Sequence, residues 1–166
     1  MSTTLTRPRR KSGKPTKTTV FHTLGYEQSD SDDYVRRLRE HGVSVVVDVR
    51  DMPLSRKKGF SKNQLRALLE EAGIGYVHYR SLGAPKALRT ELIETKSWSN
   101  YVAKYREQVL KHRKEEVDEL VDLTEKETIS LLCFERDPME CHRSLVAREM
   151  EKRGKDRGLA VDHIRY

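Results

Sequence analysis

The chain has 166 residues, with 33 Lys and Arg against 26 Asp and Glu, a formal net charge of +7 and 36% hydrophobic residues. That length suits one domain with a short extension. Its longest apolar runs, at 43–49 and 129–134, fall far short of the roughly 20 residues that cross a bilayer, so no membrane partner is expected. Two cysteines, Cys133 and Cys141, are too few for a disulfide framework, and the N-terminus has no apolar h-region; both features point to a cytoplasmic protein with reduced thiols.

The charge is unevenly placed. Residues 1–17 carry six basic side chains and no acid, in a Thr, Ser, Pro and Gly context with little to bury. This is the composition of a disordered basic arm, leaving 18–166 as a single α/β domain that is nearly neutral. Arg7, Arg9, Arg10 and Lys11 are the arm's densest cluster and suit nucleic-acid phosphates without reading sequence. A solubilising extension with no dedicated partner is the alternative.

From residue 18 the pattern alternates between strand and helix. Residues 19–23 read as a first strand, and Ser31, Asp32 and Asp33 start a helix that Gly42 stops. The β-branched run 43–49 is a strand covered on both faces. Ser61 with Gln64 forms a capping box and Phe60 with Leu65 a hydrophobic staple for a helix that Gly73 ends. A short strand at 75–79 follows. Residues 97–126 contain neither Gly nor Pro and carry two offset apolar stripes, which predicts two helices or one bent one. A buried strand at 128–134, a helix at 142–153 closed by Gly154 and an edge strand at 159–164 complete the chain. The expected fold is a three-layer α/β domain, Rossmann-like or flavodoxin-like, with a mostly parallel sheet of about five strands and helices on both faces.

Ligands of such sheets bind beyond the carboxyl ends of the strands. There the sequence places Tyr26, Asp48, Arg50, Arg56, Cys133, Glu135, Cys141, His142, Arg143 and Ser144. Arg50, Arg56 and Arg143 offer donor forks for phosphate or carboxylate, helped by the helix start near Cys141. Asp48 and Glu135 suit orientation of the arginines, general-base work or a divalent metal, and His142 suits proton transfer. The competing reading is a structural ion-pair cluster. Cys133, inside an apolar strand, reads as a small core residue, and Cys141 at a helix start as the better thiol. The Cys133, Cys141, His142 spacing is not that of a zinc finger and needs a fourth ligand from elsewhere. His22, His78 and His163 alternate with apolar residues and read as satisfied inner-face histidines.

An Asp-x-Arg after one strand and a Cys loop before a helix also occur in rhodaneses and cysteine phosphatases. Those enzymes wrap an anion with Cys-x4-Arg or Cys-x5-Arg, and neither Cys133 nor Cys141 has Arg at those offsets. Thiol-based phosphoryl or sulfur transfer is therefore disfavoured.

Four segments do resemble one family. Thr23-Leu24-Gly25-Tyr26, the run from Val47-Asp48-Val49-Arg50 through Pro53, Ser55 and Arg56, Leu82-Gly83, and Leu132-Cys133-Phe134-Glu135 with Cys141-His142-Arg143 are similar to motifs of the domain-of-unknown-function family 488. Tyr26 stands where many members have His. The resemblance implies a small prokaryotic α/β domain with one shared site at the strand exits, and no particular activity. The residues themselves lead to two expectations. One is an enzyme acting on a phosphate-bearing substrate, a nucleotide or nucleic acid, with Asp48, Glu135 and His142 in acid/base or metal roles. The other is a non-catalytic nucleic-acid-binding or adaptor module that uses the arm.

Overall fold

A computed structural model describes residues 17–166; Arg7, Arg9, Arg10 and Lys11 of the expected arm lie outside the described residues. Five strands form one sheet: β1 (Thr19–Gly25), β2 (Val45–Asp48), β3 (Gly75–His78), β4 (Ile129–Cys133) and β5 (Leu159–His163). All pairings are parallel and the spatial order is β3-β2-β4-β1-β5. Six helices cover it: α1 (Ser31–Glu40), α2 (Lys62–Glu71), α3 (Lys86–Thr95), α4 (Trp98–Gln108), α5 (Lys114–Leu123) and α6 (His142–Arg153). Among these helices none is long and apolar enough to cross a membrane.

The layers follow from right-handed crossovers. The chain runs towards one edge from β1 to β2 to β3, then back towards the other through β4 and β5, so helices before and after the reversal take opposite faces. Tyr34 and Leu38 of α1 and Leu65 and Leu69 of α2 pack with Leu24, Val46 and Leu132 on one face. Leu88, Tyr105, Leu120, Val146 and Met150 of α3 to α6 pack with Val47, Ile129 and Leu131 on the other. Strand order departs from both the Rossmann 3-2-1-4-5 and the flavodoxin 2-1-3-4-5 patterns, but the reversal still matters. Neighbours β1 and β4 send their chains to opposite faces, which opens a crevice at their carboxyl ends.

Register makes those ends level. Gly25 pairs with Cys133 and Asp48 with Leu132. Two glycines then bring the exit loops together. A Cβ on Gly25 would lie 1.8 Å from the Glu135 carbonyl oxygen, and one on Gly83 would lie 2.3 Å from the Asp51 backbone nitrogen. No other residue allows either approach, which gives the Thr-Leu-Gly and Leu-Gly motifs a steric reason.

Two local expectations need correction. Ser61 is the N-cap of α2 but bonds no amide of that helix. Its hydroxyl instead pairs with the Ser55 amide and carbonyl at 3.1 Å each, while Gln64 accepts from the Gly59 amide at 3.1 Å. The loop before α2 has taken both side chains that a capping box would use. Residues 86–95, assigned no element from the sequence, form α3. Its N-cap is Pro85, without a side-chain cap, and it ends at Lys96 with φ 53°, so neither usual end signal is present. The 97–126 stretch does divide into α4 and α5, through a 3-10 turn at Leu110–His112.

Candidate functional site

A cleft of about 520 Å³ opens where the exits of β1, β2 and β4 meet α3 and α4. Its floor holds Arg50, Cys133, Glu135 and His142, and its walls include Tyr26, Arg56, Arg89 and Tyr101. A shallow groove of about 580 Å³ between α1 and α2 is slightly larger, but it is lined by solvated faces carrying Asp32, Arg36, Arg39, Glu40 and Glu71. The cleft is the stronger candidate because buried titratable groups converge there.

The β2 exit is fully paired. Asp48 and Arg50 share the α1–α2 face, two residues apart on an extended chain. Arg50 Nε donates to Asp48 Oδ1 at 2.9 Å and Nη2 to Oδ2 at 2.7 Å. Its Nη1 donates to the Tyr26 hydroxyl at 3.1 Å and the Phe60 carbonyl at 2.7 Å. Tyr76 donates its hydroxyl to Asp48 Oδ2 at 2.5 Å. Tyr26 stacks on Phe60 with ring centroids 4.4 Å apart, and burial pushes its phenol pKa up despite the adjacent Arg50. This is the structural ion pair that competed with the anion-pocket reading: four of Arg50's five donors are committed, and both Asp48 oxygens are engaged. Asp48 therefore has no free oxygen for a shared metal with Glu135.

The β4 exit is different. His142 Nε2 lies 2.7 Å from the Val49 carbonyl oxygen; a carbonyl only accepts, so Nε2 carries the hydrogen. Nδ1 is thereby turned towards two sulfurs, Cys133 Sγ at 3.7 Å and Cys141 Sγ at 4.0 Å. Cys133 Sγ also lies 3.4 Å from Glu135 Oε2. Cys133, Glu135 and His142 reach the cleft, and Cys141 sits behind them, 1% exposed.

The electrostatics follow from that packing. Burial alone would raise the Cys141 thiol, but hydrogen bonds from Cys133 and His142 and the charges of His142 and Arg143 bring it well below its usual range. Cys133 moves the other way, raised by its hydrogen bond to Cys141 and by burial. The His142 imidazolium, although disfavoured by burial, gains more from Cys141 and is raised. Glu135 is pushed up to about 7, first by burial and then by the Cys141 charge. The arrangement places the more readily ionised thiol, Cys141, beside an imidazole held towards its protonated form, with a second thiol held towards its protonated form and a carboxyl that titrates near neutrality.

Arg143 is fully buried. It donates through Nη1 to the Glu135 carbonyl and through Nη2 to the Arg136 carbonyl, the latter at 3.2 Å, while its Nε has no partner among the described residues. Ser144 returns its hydroxyl to the Cys141 carbonyl at 2.8 Å. Neither residue presents a donor to the cleft, so the structure assigns both to shaping the β4 exit loop. Arg56, by contrast, is exposed on the cleft wall.

The predicted site residues thus meet at one end of the sheet, but in two groups: Tyr26, Asp48 and Arg50 in one, and Glu135, His142 and Arg143 in the other. Sequence reasoning missed Arg89, Leu92 and Ile93, which line the cleft from α3, and Tyr101 from α4. The i, i+4 pair Leu88 and Leu92 after Pro85 was the available signal. It also took Cys133 as core only, whereas this residue is both packed in the core and present on the cleft floor. His22, His78 and His163 are satisfied, through Asp162 at 3.1 Å, the Arg50 carbonyl at 2.7 Å and the Thr23 hydroxyl at 2.7 Å.

No curated protein and no solved structure matches the chain. The family model described as "Domain of unknown function DUF488" matches residues 30–150, a span that includes the β2 and β4 exits and the start of α6. On that match, and with its Asp48-Val49-Arg50 and Cys141-His142-Arg143 segments built into one end of the sheet, the chain belongs to the DUF488 family.

Proposed function

We propose that the chain is an enzyme whose reaction centre is the β4-exit group Cys133, Glu135, Cys141 and His142, acting on a phosphate-bearing substrate with an apolar body, as a nucleotide has. The observation that carries this reading is the composition of the cleft. Met52, Leu54, Ile93 and Phe134 are all large, apolar, at least 45% exposed and grouped around a floor of buried titratable side chains. Apolar walls over a few convergent polar groups are what a small-molecule site requires. The anion has two cations at the mouth. Arg56 makes no ion pair among the described residues, and Arg89 is held only at 3.6 Å from Asp51. Arg50 acts at one remove, by fixing Tyr26.

Glu135 serves as the general acid. A carboxyl with a pKa near 7 is half protonated at neutral pH and transfers a proton with little driving-force penalty. Its activity as an acid is complete below that pKa and falls as pH rises through it.

The test is a panel of nucleotides, phosphate esters and short oligonucleotides, read by thermal shift and by turnover. The expected result is a ligand-dependent Tm rise that Arg56→Ala and Arg89→Ala together remove. Glu135→Gln should keep the Tm rise and lose turnover. A panel with neither shift nor turnover, or a shift that survives loss of both arginines, overturns the reading.

A further inference from the structure

The β4-exit group has a geometry that acid–base chemistry does not require. The ligand atoms of Cys133, Cys141 and His142 all lie within 4.8 Å of one another. With Zn–S near 2.3 Å and Zn–N near 2.05 Å, a tetrahedral site places two sulfurs about 3.8 Å apart and sulfur and nitrogen about 3.6 Å apart. The observed sulfur to Nδ1 separations, 3.7 and 4.0 Å, lie close to that spacing. Glu135 Oε2 lies 3.4 Å from Cys133 Sγ on the side that faces the cleft but is not within 4.8 Å of all three donors, so the fourth position falls to water from the cleft.

We infer that Cys133, Cys141 and His142 bind a divalent zinc-class cation, with a water from the cleft in the fourth position. Three features beyond distance support this. His142 Nε2 donates its hydrogen to the Val49 carbonyl oxygen 2.7 Å away, a contact that fixes the ring and leaves Nδ1 free to coordinate. Sulfur and nitrogen donors select a borderline-soft cation over Mg²⁺ or Ca²⁺, which take oxygen. Charge also balances. Binding needs both thiols and the ligating imidazole nitrogen deprotonated, and the protons they carry are released to solvent. Two thiolates, a neutral imidazole and a divalent cation then carry no net charge, so neither buried sulfur is left as an uncompensated anion.

The sequence spacing does not show this site, because Cys133 closes a strand and Cys141 with His142 opens a helix. Only the register of β4 against the N-terminus of α6 brings the donors together. The site deepens the enzyme reading of the same cleft and rests on it for a catalytic use, since a cation open to the cleft would polarise a phosphoryl oxygen or activate a water. Binding itself is independent of that use.

The experiment uses the full chain, purified in reducing buffer and stripped with chelator. Co²⁺ is added as a spectroscopic probe, and Zn²⁺ is titrated against a chromophoric chelator. The expected result is one Co²⁺ per chain, with thiolate charge-transfer absorption and the intense visible bands of a tetrahedral ion. Zn²⁺ should abolish both, Mg²⁺ should leave them unchanged, and Zn²⁺ should protect both cysteines from alkylation. Cys141→Ser and His142→Gln should each weaken Zn²⁺ binding by more than the roughly 10–100-fold that loss of an outer-shell partner costs. Glu135→Gln should keep both the charge-transfer band and the visible bands. If a variant fails to fold by circular dichroism, the wild-type spectra and alkylation protection decide.

Absence of a thiolate band, alkylation indifferent to Zn²⁺, or a Cys133–Cys141 disulfide forming in place of metal uptake overturns the metal site. Turnover of the panel without metal would retain the enzyme reading and remove the site. Metal uptake with no turnover of any panel member would do the reverse.

Discussion

Two exit loops, those of β2 and β4, lie side by side and use their buried charges in opposite ways. Arg50 at the β2 exit is held by a carboxylate, a phenol and a carbonyl. Arg143 at the β4 exit is fully buried yet has only two carbonyl partners and an unpaired Nε. A fully satisfied network fixes a conformation. A buried cation with capacity to spare, beside two thiols and a carboxyl that titrates near 7, stores electrostatic cost that a ligand can relieve. Both arginines looked like anion ligands in the sequence, and satisfaction of their donors, which only packing reveals, is what separates scaffold from site.

The largest expected effect breaks the scaffold half. Asp48→Ala leaves Arg50 buried without its carboxylate and removes the acceptor for Tyr76, so unfolding free energy should fall by about 3–5 kcal/mol. Glu135→Gln, in the other half, should leave Tm within a few degrees. Urea melts of the two variants measure the contrast, and equal losses would erase the distinction between the loops.

Next is the seam between them. Gly25→Ala drives a Cβ into the Glu135 carbonyl and should cost about 3 kcal/mol, the upper part of the overpacking range. It should also displace the β4 exit, so metal uptake should fall even where folded protein is recovered. A stable variant with unchanged metal affinity would mean that the seam gives way without consequence.

Smaller is the hydroxyl of Tyr105, which donates to the Leu82 carbonyl at 2.7 Å and packs its ring 5.5 Å from His142. Tyr105→Phe should cost about 1–2 kcal/mol by leaving that carbonyl unpaired. The aromatic wall behind His142 stays, so metal binding should persist; its loss would put Tyr105 in the site rather than behind it.

Away from the site, pH gives a further test. Burial lowers the pKa of His22 below 6.5 despite its contact with Asp162, and burial with the Arg143 charge does the same to His163. The native state therefore takes up these protons later than the unfolded chain. Their contribution is complete above about pH 6.5 and is lost as pH falls through the depressed native values. Glu135 and His142, raised in the native state, add stability over the same range as pH falls, so His163 is read by difference: in urea melts His163→Gln should lose less stability, or gain more, than the wild type between about pH 7 and pH 5. Parallel pH curves for the wild type and His163→Gln would show that burial of this ring carries no protonation cost.

The smallest effect on stability concerns residues 1–17. Their six cations, if they contact duplex DNA, predict a log K against log salt slope of roughly −5. Deleting the segment should abolish the slope and leave the melting curve of the domain in place. DNA binding that keeps its salt dependence after deletion would move the electrostatic footprint to the folded domain.

What the sequence determined by itself was local. Asp33 and Gly42 around α1, the β-branched run of β2, the Gly154 stop of α6 and the alternation of strand and helix all act within a few residues, and period and end chemistry expose them. They sufficed for a parallel three-layer α/β domain with its buried titratable residues gathered at the strand exits. What only the tertiary structure decided was non-local. Strand order β3-β2-β4-β1-β5 arises from crossovers over unlike distances. Helix α3, capped by Pro85 and ended at Lys96, is held by packing of Leu88 and by Glu91 against Lys104 rather than by its ends. The pairing of Arg50, the isolation of Arg143, and the meeting of Cys133 with Cys141 and His142 depend on which side chains face each other across 8 to 24 residues of chain or more. Residue type sets what a side chain can bond; only the packed fold sets which partner reaches it first.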